Sequence, residues 1–227
     1  MKYLALATDY DGTLAKDGRV DEDTLNALTR FQESGRKLIL VTGREFNELL
    51  EVFEQVKQFD RAIAENGAVL YNPDTQKTRL LCQPPPLAFI ETLQERGVAP
   101  LQVGRAIVAT WEPHGQTVQA AIEQMKLPFQ VTLNKNAVMV LPKGVTKASG
   151  LKEALDELNL SPAQVVGVGD AQNDLALLAG SGLGVAVGNA IPELKRQADW
   201  VMSGKRGAGV RELIDRLLDL SSKRVNG

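Results

Sequence analysis

The chain has 227 residues, enough for one large domain or two small ones around a buried core. Apolar residues make up 44% and charged residues 24%, as in an ordinary globular protein, and 26 basic against 28 acidic residues give a formal net charge of −2. The lack of a basic surplus argues against nucleic acid or an anionic membrane as the main partner, and no stretch approaches the roughly 20 apolar residues of a membrane span.

The first part of the chain alternates apolar runs with amphipathic segments. Its spacing predicts strands and helices in the order Tyr3–Thr8 (strand), Asp21–Ser34 (helix), Lys37–Thr42 (strand) and Glu45–Val56 (helix). The stretch 61–72, RAIAENGAVLYN, predicts two short strands joined by a turn at Asn66–Gly67. Alternation of strand and helix indicates an α/β fold with a parallel, Rossmann-like sheet covered by helices on both faces.

The middle of the chain has a different pattern. The prolines of Gln83–Phe89 break regular structure, and the last of them can start a helix. Further elements are predicted at Val103–Thr110 (strand), Gln116–Met125 (helix), Gln130–Leu133 (strand) and Ala137–Leu141 (strand). The last two strands, joined at residues 134–136, form an antiparallel pair. We therefore expect residues 83–142 to form a small α+β domain of roughly 60 residues, here called the cap.

The last part returns to the first pattern. It predicts elements at Lys147–Leu158 (helix), Gln164–Asp170 (strand), Asp174–Ala179 (helix), Gly182–Val187 (strand), Ile191–Ala198 (helix), Trp200–Met202 (strand) and Val210–Leu220 (helix). The polar tail 221–227 is expected to fray. Residues 1–82 and 143–227 would share one sheet, here called the core, with the cap as a lid over it.

Chemistry-bearing side chains follow the predicted strands of the core, where parallel sheets bind ligands. Asp9 and Asp11 face the same side of an extended segment, with Tyr10 turned away between them. The other candidates at strand ends or helix starts are Thr42, Gly43, Arg44, Lys147, Asp170, Asn173 and Asp174. Clustered carboxylates raise one another's pKa unless a cation is bound, and oxygen ligands with open positions favour Mg²⁺ shared with a phosphate. Thr42, Lys147 and the loop amides of residues 11–13 can donate to that phosphate.

Each motif taken alone has an ordinary explanation. The DYDG stretch is a common turn, Lys147 a solvated lysine at a helix start, Thr42 a helix cap and GDAQND a capping turn. A calcium-binding EF-hand loop is excluded, because its sixth and twelfth positions counted from Asp9 would be Leu14 and Val20. The motifs together, each at a strand end or helix start, point to phosphoryl chemistry.

The sequence resembles the haloacid dehalogenase superfamily of phosphatases. Its four motifs match DYDGTL (9–14), VTGR (41–44), Lys147 and GDAQND (169–174). The stretches AENGA (64–68), LPKGVTKASGL (141–151) and GVAVGNAIPELKRQAD (184–199) resemble the Cof-like branch, which inserts its cap where residues 83–142 lie. Length and AENGA are also similar to archaeal-type phosphoglycolate phosphatases and to sucrose-phosphate phosphatases.

The resemblance implies a mechanism, residue by residue. Asp9 is the nucleophile that becomes an aspartyl phosphate, and Asp11 is first a general acid and then a general base. Mg²⁺ is implied on Asp9, the Asp11 carbonyl and Asp170, with Asp174 holding either metal-bound water or Lys147. Thr42 and Lys147 bind the transferring phosphoryl oxygens, and Asn173 is a further candidate.

Substrate contacts are predicted less fully. Gly12 and Gly43 let the backbone turn beside the phosphate, or simply form turns. Arg44 and Asn66 are candidates for substrate contact in the core. In the cap, Trp111, Glu112 and His114 either contact the leaving group or belong to an ordinary surface loop.

We expect a Mg²⁺-dependent phosphatase for a small phosphorylated metabolite, either a sugar phosphate or phosphoglycolate. A phosphosugar mutase of the same superfamily is an alternative. A receiver-like signalling domain is another, although such domains are about half this length and lack a lid. One cysteine, Cys82, and an N-terminal apolar run too short for a signal peptide predict a cytoplasmic protein. We also expect a monomer or homodimer with no nucleic-acid or membrane partner.

Overall fold

The structure, a computed structural model, describes residues 2–225, and the side chains of residues 2–220. Its strands are β1 (Ala5–Thr8), β2 (Lys37–Val41), β3 (Arg61–Ala64), β4 (Val69–Asn72), β5 (Lys77–Leu80), β6 (Gln102–Val103), β7 (Val108–Trp111), β8 (Phe129–Asn134), β9 (Ala137–Pro142), β10 (Val165–Gly169), β11 (Leu183–Ala186) and β12 (Trp200–Val201). Its α-helices are α1 (Glu22–Glu33), α2 (Phe46–Val52), α3 (Leu87–Glu95), α4 (Gly115–Gln124), α5 (Lys147–Leu158), α6 (Leu175–Ala179), α7 (Pro192–Gln197) and α8 (Gly207–Val225).

The core contains an eight-stranded sheet in the order β12-β11-β10-β1-β2-β3-β4-β5. Strands β12 to β3 run parallel, with β1 in the middle and Ala5 opposite both Val165 and Lys37. Strands β4 and β5 continue the sheet antiparallel. The α/β prediction is confirmed, but β5 was not predicted, because its residues are all exposed and carry no apolar alternation.

Both faces of the central strands are buried under helices. In β1 and β2, Leu6 and Leu38 pack in one cluster with Phe31 of α1 and Leu213 of α8. The side chains that point the other way pack against α5, as Ala5, Ala7, Ile39 and Val41 do with Leu151, Ala154 and Leu155. Coverage on both faces explains why these strands are almost entirely apolar.

The chain between β5 and α5 forms a second, four-stranded antiparallel sheet in the order β6-β7-β9-β8. Helices α3 and α4 pack on it through Phe89, Val118 and Ile122, which join Val138 and Val140 in a separate apolar cluster. The antiparallel pairing of β8 with β9 is confirmed. This second sheet supports our proposal that residues 83–142 form a cap and that the flanking segments form the core.

One predicted strand of the cap, Val103–Thr110, is wrong. The structure has two strands there, β6 and β7, with a tight turn between them in which Gly104 N–H donates to Ile107 O at 2.9 Å. The turn lets the backbone N–H groups of Arg105, Ala106 and Ile107 all donate to the carboxylate of Glu65, which follows β3 in the core. An uninterrupted strand could not present three consecutive amides to one side chain, because successive amides alternate in direction.

Other differences concern the ends of helices. The predicted helix Glu45–Val56 ends at Val52, because buried Phe53 leaves the helical conformation with φ −134° and a 3₁₀-helix, Glu54–Gln58, follows. Helix α8 continues to Val225, so the predicted fraying of 221–227 is wrong as far as that residue; residues 226 and 227 lie outside the described part. Within residues 2–225, no helix combines the length and apolar character needed to cross a membrane.

Candidate active site

The candidate site lies at the carboxyl ends of the central strands. Asp9 directly follows β1, Thr42 follows β2 and Asp170 follows β10, while Lys147 is the first residue of α5. Adjacent parallel strands end at one edge of the sheet, so these side chains come from distant parts of the chain to one place.

Lys147 joins two carboxylates in the interior. Its Nζ lies 2.6 Å from Asp9 Oδ1 and 2.6 Å from Asp174 Oδ1, and its side chain is 1% exposed. A capping box between Thr146 and Ser149 fixes the helix end that carries the lysine. Burial lowers the pKa of Lys147, but Asp174 and Asp9 outweigh it and raise that pKa, so the ammonium stays charged. The alternative of a solvated lysine is therefore wrong.

Asp174 lies behind Asp9 and Asp170 and contacts both Lys147 and the loop after β10. Its Oδ1 accepts from Lys147, and its Oδ2 accepts from the backbone N–H of Asp170 at 2.9 Å and of Ala171 at 3.0 Å. The side chain is fully buried. Of the two alternatives for Asp174, the structure shows contact with Lys147, and the same carboxylate also fixes the loop that presents Asp170.

The donor set fits a hard divalent cation. Asp9, Asp170 and Asp174 each offer a carboxylate oxygen, and these oxygens all lie within 4.8 Å of one another. Asp170 Oδ1 is buried with no hydrogen-bond partner in the described structure. An anionic oxygen left unpaired in the interior is costly, and a metal ion would compensate it.

The pKa values of the site carboxyl groups also indicate uncompensated negative charge. Burial and then the charge of Asp174 raise the pKa of Asp9 to about 7, against the lowering effect of Lys147. Burial is also the main cause that raises the pKa of Asp170, partly offset by Lys135. One lysine between the carboxylates of Asp9 and Asp174 does not balance the negative charge of the three aspartates, so the cluster fits a divalent cation.

Asp11 lies apart from this cluster. Its carboxylate is clamped by Arg44, with Nε at 2.6 Å from Oδ2 and Nη2 at 2.8 Å from Oδ1. Arg44 Nη1 also donates to Glu48 at 2.6 Å, and the guanidinium lies 5.4 Å from the ring of Tyr10. Arg44, a candidate for substrate contact, thus pairs with protein carboxylates in this structure. Tyr10 is fully buried and donates to Gly18 O, facing away from the site as predicted.

Thr42, Gly43, Asn66 and Asn173 form a second side of the site. Thr42 is buried, its hydroxyl accepts from Arg44 N–H at 3.1 Å, and its carbonyl accepts from Asn66 N–H at 3.0 Å. Asn173 Nδ2 donates to Asn66 Oδ1 at 2.9 Å. A Cβ at Gly43 would lie 3.2 Å from that same oxygen, so glycine leaves room for the asparagine pair.

Gly12 is required by the loop after β1. Its φ is +88°, and a Cβ there would collide with the Asp170 carboxylate. The carbonyl of Gly12 accepts from Asn189 Nδ2 at 2.8 Å, and Asn189 Oδ1 accepts from Arg206 N–H at 2.7 Å. Asn189 was not predicted, although it belongs to a stretch that carries the resemblance to the Cof-like branch.

The three cap candidates lie at the surface, Trp111 at the end of β7 and Glu112 and His114 in the turn before α4. Trp111 is 54% exposed, Glu112 accepts from Gly115 N–H at 3.2 Å at the start of α4, and a ring nitrogen of His114 lies 3.0 Å from Ala99 O. These are local contacts within the cap, and the structure favours the surface-loop alternative.

Two side chains that the sequence did not single out connect the cap to the core. Glu65, fully buried, accepts from the backbone N–H groups of Arg105 at 2.9 Å, Ala106 at 2.8 Å and Ile107 at 2.9 Å. Lys135, between β8 and β9, extends its Nζ to 3.2 Å from Asp170 Oδ2. Glu65 lies in the AENGA stretch and Lys135 in the predicted hairpin turn. The sequence drew attention to both segments, but it predicted neither contact.

Comparison with known proteins agrees with this geometry. The family model for haloacid dehalogenase-like hydrolases matches residues 6–108 and 114–214. The chain belongs to the haloacid dehalogenase-like hydrolase family. Our prediction of a haloacid dehalogenase-type phosphatase of the Cof-like branch is confirmed at this level, and the match leaves the receiver-domain alternative without support.

Individual relatives extend over nearly the whole chain. A phosphoglycolate phosphatase of Methanothermobacter thermautotrophicus is 29% identical over 94% of this chain and 98% of its own. Phosphoglycolate phosphatase 2 of Saccharolobus solfataricus is 30% identical over 95% and 92%. A haloacid dehalogenase-like hydrolase from Bacteroides thetaiotaomicron has the same fold, with a TM-score of 0.81 at 20% identity over 95% and 100%.

Proposed function

We propose that this protein is a Mg²⁺-dependent phosphatase that hydrolyses a small phosphorylated metabolite, phosphoglycolate or a sugar phosphate, through an aspartyl phosphate at Asp9. The observation that carries the proposal is the buried Lys147 between Asp9 and Asp174, beside an Asp170 oxygen without a partner. Relatives that match over nearly their full length are named phosphoglycolate phosphatases, which supports the substrate class.

Asp9, Asp170 and the Asp11 carbonyl would hold Mg²⁺, with Asp174 supporting the site through Lys147 and the backbone of residues 170 and 171. When bound, Mg²⁺ supplies positive charge that compensates the carboxylates and the phosphoryl oxygens. The remaining chemistry is carried by the side chains themselves.

Asp9 attacks the phosphorus, so that one of its oxygens forms a bond to phosphorus while the bond to the leaving oxygen breaks. Asp11 donates a proton to that leaving oxygen, and then accepts a proton from the water that attacks the phosphorus and frees Asp9. Because Arg44 engages both oxygens of Asp11, this role requires Asp11 to exchange Arg44 for the substrate during turnover.

The positive charge and the hydrogen-bond donors for the transferring phosphoryl group come from side chains and backbone around Asp9. The Lys147 ammonium, held 2.6 Å from Asp9, lies where negative charge develops on the phosphoryl oxygens. Thr42 and the backbone beside Gly12 and Gly43 supply neutral donors, and Asn66 with Asn173 limits the space behind them. The proposal also places the protein in the cytoplasm, as a monomer or homodimer, with a small phosphorylated metabolite and no nucleic acid as its partner.

The test is phosphate release from 2-phosphoglycolate and a panel of sugar phosphates, with Mg²⁺ and with EDTA, in wild-type protein and in Asp9→Asn. We expect turnover of at least one substrate that requires Mg²⁺ and is lost in the variant. Undiminished turnover in EDTA or in Asp9→Asn contradicts the proposal. Phosphorus NMR of the products separates hydrolysis from the mutase alternative, in which phosphate returns to a sugar hydroxyl.

A further inference from the structure

Lys135 is the cap residue that reaches into the acid cluster. It lies in the two-residue turn between β8 and β9, with φ +55°. Its Nζ lies 3.2 Å from Asp170 Oδ2, and its backbone N–H lies 3.4 Å from Gln172 Oε1. Among the described residues, no other cap side chain hydrogen-bonds to Asp9, Asp170 or Asp174. The hairpin tip is thus held over the loop that presents the candidate metal ligands.

The contact with Asp170 involves two very different environments. Asp170 is 4% exposed at its side chain, whereas the Lys135 side chain is 58% exposed. A lysine that is more than half in solvent has a flexible stem and little packing to hold it in one position. Its ammonium can therefore move within the space between cap and core, while Asp170 stays fixed.

We propose that Lys135 determines specificity by binding an anionic group, such as a carboxylate, on the leaving part of the substrate. This inference rests on the proposed function. With Mg²⁺ held by Asp9 and Asp170, the Asp170 carboxylate would no longer be the counter-charge of Lys135, whose ammonium would lie close to the reacting group without one. A substrate carboxylate restores that counter-charge.

Phosphoglycolate fits this arrangement by its chemistry. A single methylene carbon separates its carboxylate from the ester oxygen, so the second anion must lie close to the phosphate. A side chain that reaches Asp170 from the cap can reach such a carboxylate as well. A neutral sugar hydroxyl in the same place would leave the ammonium unpaired, so the lysine favours anionic substrates over neutral ones.

The chain offers a matched control in Lys126. It is also an exposed lysine of the cap in the left-handed region, with φ +51°, but it follows α4 and no contact with the acid cluster involves it. Lys126→Met and Lys135→Met therefore remove the same charge from the same domain at comparable backbone positions. A loss common to both variants reports the stability of the cap, and a loss specific to Lys135→Met reports the substrate contact.

The experiment compares kcat/KM for 2-phosphoglycolate with that for 2-hydroxyethyl phosphate. This analogue has almost the same size and carries a neutral hydroxyl group in place of the carboxylate. Loss of one charge-assisted hydrogen bond predicts that Lys135→Met lowers kcat/KM for phosphoglycolate by at least about tenfold and for the neutral analogue by less than about threefold. Lys135→Arg should restore most of the preference, and Lys126→Met should keep it. Equal effects on both substrates, or none, overturn the inference.

Binding provides a readout that does not need turnover. In the inert Asp9→Asn background, at a Mg²⁺ concentration that calorimetry shows to saturate the site, phosphoglycolate binding should be weakened at least about tenfold by Lys135→Met and unchanged by Lys126→Met. Unchanged binding in both overturns the inference. The two proposals fail differently: a wild-type protein that hydrolyses neutral esters and not phosphoglycolate refutes the role of Lys135 alone, whereas one that hydrolyses no phosphate ester refutes the proposed function.

Discussion

Replacing the proposed nucleophile should make the metal-free protein more stable at neutral and alkaline pH. The pKa of Asp9 is about 7 in the folded protein, mainly because it is buried, against 3.8 for an unperturbed aspartate. The folded protein therefore holds a proton that the unfolded chain releases between about pH 4 and pH 7. Stability from this group is fully present below pH 4 and is lost as the pH rises to 7. Asp9→Asn keeps the shape of the side chain and avoids that loss.

The expected size follows from the shift. About three pKa units at 1.36 kcal/mol each give roughly 4 kcal/mol at pH 8, and about 2 kcal/mol at pH 5, where the linkage is incomplete. For a chain of this length, roughly 4 kcal/mol corresponds to a change in melting temperature on the order of 10 °C.

Thermal unfolding by circular dichroism in EDTA at pH 5 and pH 8 measures the effect. We expect the melting temperature of Asp9→Asn to exceed that of the wild type, and the difference to grow from pH 5 to pH 8. Adding Mg²⁺ should stabilise the wild type and do less for the variant, since a ligand carboxylate is gone. Asp11→Asn, which breaks the partly buried pair with Arg44, should show no such gain. An Asp9→Asn variant less stable than the wild type at pH 8 refutes the reasoning.

Three further substitutions test other parts of the site. Lys147→Met leaves two buried carboxylates without their positively charged partner. Steady-state kinetics should show turnover lowered at least about a thousandfold, and denaturant unfolding should show the free energy of unfolding lowered by about 3 kcal/mol or more. Turnover like that of the wild type contradicts this prediction. Glu65→Gln weakens the bonds to the amides of 105–107, and hydrogen exchange should show those amides at least about tenfold less protected, whereas unchanged protection refutes the connection. Gly12→Ala forces a Cβ against the Asp170 carboxylate, so the Mg²⁺ affinity measured by calorimetry should drop at least about tenfold. An unchanged Mg²⁺ affinity contradicts the close approach of residue 12 to Asp170.

The parts of the fold that the sequence predicted well are those with a local signal. Helix α5 begins at Lys147 and ends at Leu158 as predicted, because a threonine cap precedes an amphipathic run. The central strands were recognisable as short apolar runs, of which β1 and β10 are each followed by an aspartate. Strand β5 has no such signal, since its residues are exposed and it belongs to the sheet only through hydrogen bonds to β4.

The candidate site shows the same limit. That Asp9, Thr42 and Asp170 follow strands that end at one edge of the sheet is a consequence of its parallel topology, which the sequence already indicated. The partners of Asp11 and Lys135 depend on side-chain geometry between segments that are far apart in the chain, 33 residues for the pair of Asp11 with Arg44. Nothing in the local sequence states that an arginine after β2 will clamp Asp11, or that a lysine of the cap will meet Asp170.

The most direct test of the central claim is to trap the covalent intermediate. Protein mixed with labelled 2-phosphoglycolate and Mg²⁺, quenched in acid within milliseconds and digested, should carry the labelled phosphate as an acyl phosphate on the peptide that contains Asp9, and Asp9→Asn should carry none. Rapid phosphate release without any label on Asp9, and at the same rate in Asp9→Asn, would contradict the account.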